Sequence, residues 1–424
     1  MLSSQSTAIV QQTAGVVAEH SDRITEAFYP HMFEAHPELL RVFNKANQAI
    51  GEQPKALAAS VVAYAVHLID PEAPDFAPVM RRIAHKHVSL GIRGTDYTVV
   101  GRHLMWAIGE VLGDAVTPEV AAAWDEVYWL FALQLATEEA RLYALSGTDP
   151  EQPWRSYEVV DREDQNEDVF SLEIAPVSGD LPPHTTGQYV ALAVDLSETE
   201  RQPRQYTISG VPGGKAFRLT IKRSRTAGAP DGQVSNWLAD HARVGTVLDV
   251  SQPAGDVILD QADDPLVLVS AGIGITPMAA ILEDLMQRQP RRTVRIYHAD
   301  RHHEAQPLYR RMLGQALQLK DCRAEFWYEE GAESAPTRIP AHSGLMDLSE
   351  VDLPEDCRVF MCGSLEFMAF ARQGLLARGV PADRIDYEVF APTCGHALPS
   401  DLDGPDPEFS PGSGPLLARP PWCP

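Results

Sequence analysis

The chain has 424 residues, more than one hydrophobic core usually organises, so about two to four domains are expected. Hydrophobic residues make up 44% and charged residues 22%, a balance that excludes a wholly disordered chain. The 35 basic and 59 acidic residues give a formal net charge of −24, which opposes non-specific binding to nucleic acid and to anionic lipid. We therefore expect a folded multidomain protein without a nucleic-acid partner.

The sequence shows no sign of export or of a membrane anchor. Its first residues lack a basic stretch followed by a cleavage site and have the apolar spacing of an amphipathic helix. The longest apolar stretch, residues 266–282, is interrupted by glycine, serine, threonine and proline, which favours strand, loop and helix over a membrane span. The five cysteines lack CxxC spacing, so neither a disulfide framework nor a four-cysteine metal site is predicted. These features predict a cytoplasmic protein.

The first third of the chain has helical periodicity. Apolar residues recur at spacings of three and four up to about residue 143, as in Val120, Trp124, Val127 and Phe131. The expected domain covers residues 1–147 and is all-α.

One of the 14 histidines stands out as a candidate metal ligand, although a single histidine is ordinarily structural or exposed. On the predicted helix around residue 83, the apolar stripe of Met80, Ile83 and Ala84 continues onto His87. His85 lies two residues away, and therefore about 200° around the helix. His87 is expected to face the core and His85 is not.

The pattern changes twice in the rest of the chain. After a segment rich in turn formers, apolar alternation begins near Trp154, which predicts a β domain over residues 153–260. Strand-like and helical segments then alternate over residues 262–392, with one helix expected at 304–319, and this order predicts a parallel sheet covered by helices. Residues 393–424 are dominated by proline, glycine, serine and aspartate and predict a flexible tail.

A glycine loop follows the first strand of the α/β segment and opens its helix. Glycines let the backbone approach a pyrophosphate, the helix N-terminus attracts its charge, and Pro277 suits the first helical position. The loop alone is weak evidence, because proline replaces the third glycine of the dinucleotide fingerprint. Its residues are Ala271, Gly272, Ile273, Gly274, Ile275, Thr276 and Pro277.

Two segments upstream carry residues suited to a phosphate and a planar ring. An arginine beside an aromatic ring and a hydroxyl can hold a phosphate, stack on a ring and hydrogen-bond its edge. That segment is Arg204, Gln205, Tyr206 and Thr207. In the second segment Ser235 precedes an apolar helical run, which predicts an N-cap and also suits a phosphate. The second segment begins with Gly232, Gln233, Val234 and Ser235.

Together with Phe360-Met361-Cys362-Gly363-Ser364, these motifs resemble the ferredoxin-reductase superfamily in order and spacing. The resemblance implies an antiparallel β-barrel domain that binds FAD, followed by a parallel-sheet α/β domain that binds NADH or NADPH. FAD would contact both upstream segments, and also Gln188 and Tyr189, although Thr186 replaces the proline that normally precedes that segment. The dinucleotide would contact the glycine loop, with Cys362 and Gly363 at the nicotinamide, unless Cys362 is an inert buried thiol. Val389 and Phe390 match the C-terminal strand whose aromatic residue shields the flavin.

The chain lacks the cysteine spacing of an iron–sulfur domain, so the all-α segment is the candidate electron acceptor. That segment resembles the globin domain of flavohaemoglobins in Phe28-Tyr29-Pro30-His31-Met32-Phe33, His36-Pro37-Glu38-Leu39, Phe43-Asn44 and Lys86-His87. The resemblance, which extends to about residue 392, implies haem b with His87 as the proximal iron ligand and Tyr29 as the distal hydroxyl for O2. Further pocket residues would be Phe43, Gln53, Leu57 and Lys86.

The same resemblance places Tyr97 and Glu139 beside the ligand histidine, where they would increase its electron donation to iron. Glu138 is the alternative, because two adjacent carboxylates leave the register open. A departure concerns Gln53: Pro54 disfavours helical backbone angles at Gln53, which argues against its role as the distal amide.

As a whole, the resemblance implies a nitric oxide dioxygenase. NAD(P)H would reduce FAD, FAD would reduce haem one electron at a time, and ferrous haem with bound O2 would convert NO to nitrate. Glu388, near the flavin–haem boundary, would help the transfer or be a plain surface carboxylate. The alternatives are a haem-dependent reductase of alkyl or lipid hydroperoxides and an O2 or NO sensor. Asp300 favours NADH and Arg301 favours NADPH, and we lean towards NADH. No obligate protein partner is inferred.

Overall fold

The computed structural model describes residues 2–41, 52–73, 75–197, 200–225, 231–336 and 339–390. Phe43 and the predicted tail at residues 393–424 lie outside these ranges. None of the described helices is both long enough and apolar enough to cross a membrane.

The N-terminal domain is built from helices, as its periodicity predicts. Thr117 caps the last of them by accepting a hydrogen bond from Val120 N at 3.3 Å, and Gly147 ends it in the left-handed conformation. Phe28, Trp124 and Leu135 lie fully buried in the core. The helices are α1 (Ser4–Glu19), α2 (Ser21–Ala35), α3 (Glu52–Ile69), α4 (Ala77–Leu90), α5 (Asp96–Leu112) and α6 (Pro118–Ser146).

Helix α3 corrects one expectation about Gln53. The helix begins at Glu52, so the backbone of Gln53 is helical although Pro54 follows it. A proline in the first turn loses no hydrogen bond, because the N–H groups there have no partner within the helix. The side chain of Gln53 lies outside the described part of the chain.

The middle domain is an antiparallel β-barrel. Its six strands are β1 (Trp154–Asp164), β2 (Val169–Pro176), β3 (Tyr189–Asp195), β4 (Arg201–Thr207), β5 (Phe217–Lys222) and β6 (Val247–Ser251). They pair in the order β4-β3-β6-β1-β2-β5, and a bridge between Ile208 and Leu219 brings the two end strands together. Alternate apolar residues of these strands fill the interior, as in Leu172, Ile174 and Leu219.

Helix α7 (Gln233–His241) packs against this barrel, and its first residues correct the expected N-cap. Gly232 occupies the N-cap position, and Ser235 is the third residue of the helix. The Ser235 hydroxyl donates to Gly232 O at 3.2 Å and accepts from Ser224 N at 3.1 Å. Ser235 therefore ties the helix to the loop after β5 instead of capping it.

The C-terminal domain is a parallel sheet covered by helices. Its strands pair in the order β10-β9-β8-β7-β11-β12, and apolar clusters lie on both sheet faces. In chain order the elements are β7 (Leu266–Ala271), α8 (Ile275–Arg288), β8 (Thr293–Asp300), α9 (Tyr309–Ala316), β9 (Asp321–Tyr328), β10 (Ala341–Ser343), β11 (Arg358–Gly363), α10 (Leu365–Ala377) and β12 (Ile385–Val389).

Two helical boundaries in this domain differ from the expectation. Pro277 is the third residue of α8, not the first. The helix expected at 304–319 is only α9, because a turn at His303–Ala305 is separated from it by Leu308 at φ +57°. Pro307 lacks a backbone N–H and disfavours helical angles at the residue before it, so one continuous helix cannot form.

Candidate functional site

A cavity in the helical domain collects most of the predicted haem-pocket residues. Its walls are almost wholly apolar, with Ile83, Val100, Phe131 and Leu135 among them. The predicted residues that line it are Tyr29, Leu57, Lys86, His87 and Tyr97. Four helices and the turn at Pro37–Arg41 supply further wall residues. The fold thus gathers side chains far apart in sequence around one half-buried imidazole.

A hydrogen-bond network holds that imidazole from one side. His87 Nδ1 lies 2.8 Å from Glu139 Oε1 and 2.9 Å from the Tyr97 hydroxyl. The Tyr97 hydroxyl donates to the same Glu139 oxygen at 2.5 Å. Burial, and next the Glu139 carboxylate, raise the pKa of Tyr97, so its hydroxyl keeps its proton. A carboxylate at Nδ1 keeps a proton on that nitrogen and leaves Nε2 as the ring nitrogen able to bind a metal.

The structure also separates the two adjacent glutamates of α6. Glu139 is buried, only 3% exposed, on the helix face that also carries Leu135 and Tyr143. Glu138 points about 100° away. Its carboxylate accepts two hydrogen bonds from Arg141, at 2.9 and 2.5 Å. It is therefore Glu139 that the fold brings to His87.

Helix α4 presents a second face to the other two domains. His85 Nδ1 accepts a hydrogen bond from Gly255 N at 3.0 Å, and the Gln205 side-chain amide donates to Ser89 Oγ at 2.7 Å. Arg82 lies over the Tyr387 ring, 5.0 Å from its centroid. The spacing of Arg82, His85 and Ser89 marks one helical face. Ser89 was not predicted from the sequence, although polar residues at this spacing beside the apolar stripe indicate a second contact face on the helix.

The predicted flavin-binding segments lie side by side in the barrel. Strands β3 and β4 pair so that Tyr189 is opposite Thr207 and Val190 is opposite Tyr206, and helix α7 packs on both strands. Thr207 Oγ1 is buried without a hydrogen-bond partner among the described residues. The Gln205 side-chain amide contacts the helical domain, and its predicted contact with FAD stays a prediction.

In the glycine loop, the two glycines serve different physical purposes. Gly272 has φ +52°, and the position of an added Cβ faces open space. An added Cβ at Gly274 would lie 2.3 Å from the Cys362 carbonyl oxygen, so Gly274 allows the loop to pack on β11. The Cys362 side chain is fully buried, and burial raises the pKa of its thiol. Gly272 is thus the loop position that a ligand, for example through a phosphate group, could approach.

Glu388 lies where the three domains meet. In the pairing of β11 with β12 it is opposite Cys362, and Val389 is opposite Gly363. Removal from water, and next the Asp256 carboxylate, raise the pKa of Glu388 to about 8, against the opposing charges of Arg82 and Lys86. Glu388 is therefore half-buried beside charged side chains of the other two domains, while Phe390 is 43% exposed.

This raised pKa predicts a pH-dependent stability. The folded protein binds a proton at Glu388 up to about pH 8, whereas an unfolded glutamate releases it near 4.5, so the free energy of unfolding should fall as pH rises between these values. Glu388→Gln removes the titration. The melting temperature of the variant minus that of the wild type should therefore rise across this interval, as measured by calorimetry. Glu366→Gln, at an exposed position, is the control. A difference that stays flat for Glu388→Gln would contradict the assignment.

Two family models match separate parts of the chain. Residues 26–135 match the globin family model, and residues 268–373 match the model of the oxidoreductase NAD-binding domain. A flavohemoprotein of Chromobacterium violaceum is 40% identical over 400 residues, covering 92% of this chain and 98% of that relative. A flavohemoprotein of Bacillus subtilis is 33% identical over 402 residues, with 92% and 98% coverage.

Solved structures agree with these sequence matches. A flavohemoglobin from Malassezia yamatoensis, crystallised with bound FAD and heme, superposes with a TM-score of 0.82 at 32% identity, covering 92% of this chain and all of that one. The FAD/NAD-binding domain of a nitric oxide dioxygenase from Vibrio cholerae covers 55% of this chain and 98% of its own, with a TM-score of 0.51 at 30% identity. The chain therefore belongs to the flavohemoprotein family.

Proposed function

We propose that this protein is a nitric oxide dioxygenase, driven by a reduced nicotinamide dinucleotide through FAD and haem. The observation that carries the proposal is that two faces of the same helix, α4, serve two different sites. One face of α4 presents His87, backed by Glu139 and Tyr97, to an apolar cavity. The other face contacts the barrel and the C-terminal strand. Support also comes from the FAD/NAD-binding domain of the nitric oxide dioxygenase of Vibrio cholerae, which is similar to the reductase half of this chain.

The residues of the cavity fit a haem. The walls are apolar, as a porphyrin requires, and the engaged Nδ1 of His87 leaves Nε2 for the iron. Leu57 and Lys86 would contact the macrocycle, since both line the cavity. Tyr29, 6% exposed and lining the same cavity, would present a hydrogen-bond donor to dioxygen.

The residues of the reductase half fit FAD and a nicotinamide dinucleotide. The buried Thr207 hydroxyl, unpaired within the described residues, suits a polar edge of the flavin. Gly272, with open space beside it at the head of α8, suits the dinucleotide phosphates. Asp300 is buried at the end of β8, with a side chain 6% exposed, whereas Arg301 is exposed; this favours NADH.

When bound, these groups supply hydride acceptance at FAD, single-electron transfer to iron and activation of O2 at the haem. The protein's own residues hold and orient them. Glu139 and Tyr97 fix the tautomer and the orientation of His87, and the apolar walls exclude water from the cavity. The contacts of α4 with Gly255 and Gln205 hold the two halves together. The proposed compartment is the cytoplasm, as the sequence predicts.

Stopped-flow spectroscopy of the purified holoprotein tests this function. We expect NADH to reduce the flavin and then the haem without oxygen, and we expect NO to be consumed only when O2 is present, with one nitrate formed per NO. Consumption of alkyl hydroperoxides without NO turnover would instead indicate a hydroperoxide reductase. A haem that NADH does not reduce would indicate an O2 or NO sensor and would contradict the proposal.

A further inference from the structure

A buried serine of α4 forms one of the polar links between the two halves of the protein. Ser89 is fully buried, and its hydroxyl donates to Lys86 O at 2.7 Å within α4. Its oxygen accepts from the Gln205 side-chain amide at 2.7 Å.

The position of this link along the chain relates it to both cofactor sites, so it does more than hold the two domains together. Ser89 stands two residues after His87 on the helix that carries the proposed iron ligand. Gln205 and Tyr189 lie on the paired strands β4 and β3, and Gln205 stands between Arg204 and Tyr206 of the proposed flavin-binding segment. Val88 packs beside this link against Ala254 and Tyr189. The Ser89 hydroxyl and the neighbouring Val88 thus join the haem-bearing helix to both strands expected to hold the flavin.

We propose that Ser89 is a positioning residue for electron transfer from FAD to haem. The inference rests on the proposed function and deepens it. Ser89 transfers no group: each NADH oxidised to NAD⁺ would release one proton and supply two electrons, which would reduce the haem iron of the chain from ferric to ferrous one at a time, the second after turnover with O2 and NO has returned the iron to the ferric state. The role of Ser89 is to fix the distance and angle between α4 and the strand pair. Small displacements at such a junction are costly, because the rate of electron transfer falls steeply as the distance between donor and acceptor increases.

The physical consequence of removing the hydroxyl is specific. Ser89→Ala leaves the half-buried Gln205 amide without its acceptor, which is unfavourable unless strand β4 shifts to find another. The hydrogen bonds of Glu139 and Tyr97 to His87 lie on the other face of α4 and are not touched. The iron environment should therefore stay the same while the alignment of the two halves changes.

The experiment compares single-turnover rates and structure in the holoenzyme. In Ser89→Ala, NADH should reduce the flavin at the wild-type rate, whereas haem reduction should slow by about tenfold or more. The haem and flavin midpoint potentials should not change. Hydrogen exchange at the amides of residues 86–90 and 201–207 should become faster. Gln205→Met, similar in volume, removes the same bond from the other side and should slow haem reduction likewise. The double variant should be no slower than the single ones, because both remove one interaction.

Ser146→Ala is the matched control. Ser146, at the end of α6, hydrogen-bonds the Gln252 side chain across the same domain boundary but away from α4, and its loss should leave haem reduction unchanged. The inference is overturned if Ser89→Ala reduces its haem at the wild-type rate, if Ser146→Ala slows it equally, if the midpoint potentials move, or if the two variants add. A wild-type protein that binds no haem or is not reduced by NADH overturns the proposed function itself, so the two failures are distinguishable. If Ser89→Ala does not assemble, Gln205→Met alone decides.

Discussion

Replacement of His87 by alanine is expected to abolish the Soret band of five-coordinate haem while FAD remains bound. His87 is the histidine that the structure aims into the apolar cavity, with Nδ1 engaged by Glu139 at 2.8 Å. No other lining residue among those described there carries an imidazole. Absorption spectra of the ferrous protein measure the haem, and flavin fluorescence after denaturation measures the FAD. The melting temperature of the helical domain should also fall, because a ligand that binds only the folded state stabilises it.

His85→Ala is the matched control for this result. His85 is two residues away on the same helix, but its Nδ1 accepts from Gly255 N on the opposite face. That variant should keep the Soret band and lose only an interdomain hydrogen bond. A normal five-coordinate spectrum in His87→Ala, or loss of haem in His85→Ala, would refute the ligand assignment.

The position of His87 shows what periodicity can and cannot predict. A helix turns by about 100° per residue, so an apolar stripe through Met80 and Ile83 was enough to separate His87 from His85. The family pattern then named Tyr97 and Glu139, and the structure brings both to His87. The choice between Glu138 and Glu139 needed coordinates, because it depends on the register of α6 against α4 and not on either helix alone.

The errors have a common origin in contacts that local sequence does not encode. Serine is a residue type that commonly caps helices, so Ser235 was expected at the N-cap. The helix begins two residues earlier, and the Ser235 hydroxyl instead accepts a hydrogen bond from the loop after β5. Strand alternation directs the Gln205 side chain to the other domain, a contact that its place beside Arg204 and Tyr206 does not reveal, while its contact with FAD stays a prediction. Ser89 was missed because the polar stripe on α4 does not reveal its partner: the Ser89 hydroxyl donates within the helix, to Lys86 O, and its donor, Gln205, lies on another domain.

The net charge of −24 can be interpreted together with the contacts between the domains. An acidic surface gives no electrostatic attraction to a dinucleotide, which is itself an anion. Basic side chains are therefore used locally: Arg82 and Lys86 of α4 lie near Asp256 and Glu388 at the junction of the domains. Charge at that junction can hold the three domains in register, while the gases expected in the cavity are neutral and need no steering.

Glu139→Gln should lower the rate of NO consumption or the haem affinity by about ten- to a hundredfold, the usual effect of losing an outer-shell partner of a metal-bound histidine. The charged Glu139 oxygen accepts from both His87 Nδ1 and the Tyr97 hydroxyl, and charge-assisted hydrogen bonds are about twice as strong as neutral ones. A neutral amide donates less electron density through the imidazole, so the haem midpoint potential should rise. Spectroelectrochemistry and NO-electrode assays measure the two effects.

Glu138→Gln is the control that makes this result specific. It changes the same functional group one residue earlier in α6, where the carboxylate forms an exposed ion pair with Arg141. Such pairs contribute roughly 0–1 kcal/mol, so both the potential and the rate should stay at wild-type values. Equal effects of the two substitutions would mean that overall acidity near the cavity, and not the bond to His87, sets the potential. An unchanged potential in Glu139→Gln would show that its carboxylate only packs beside the histidine.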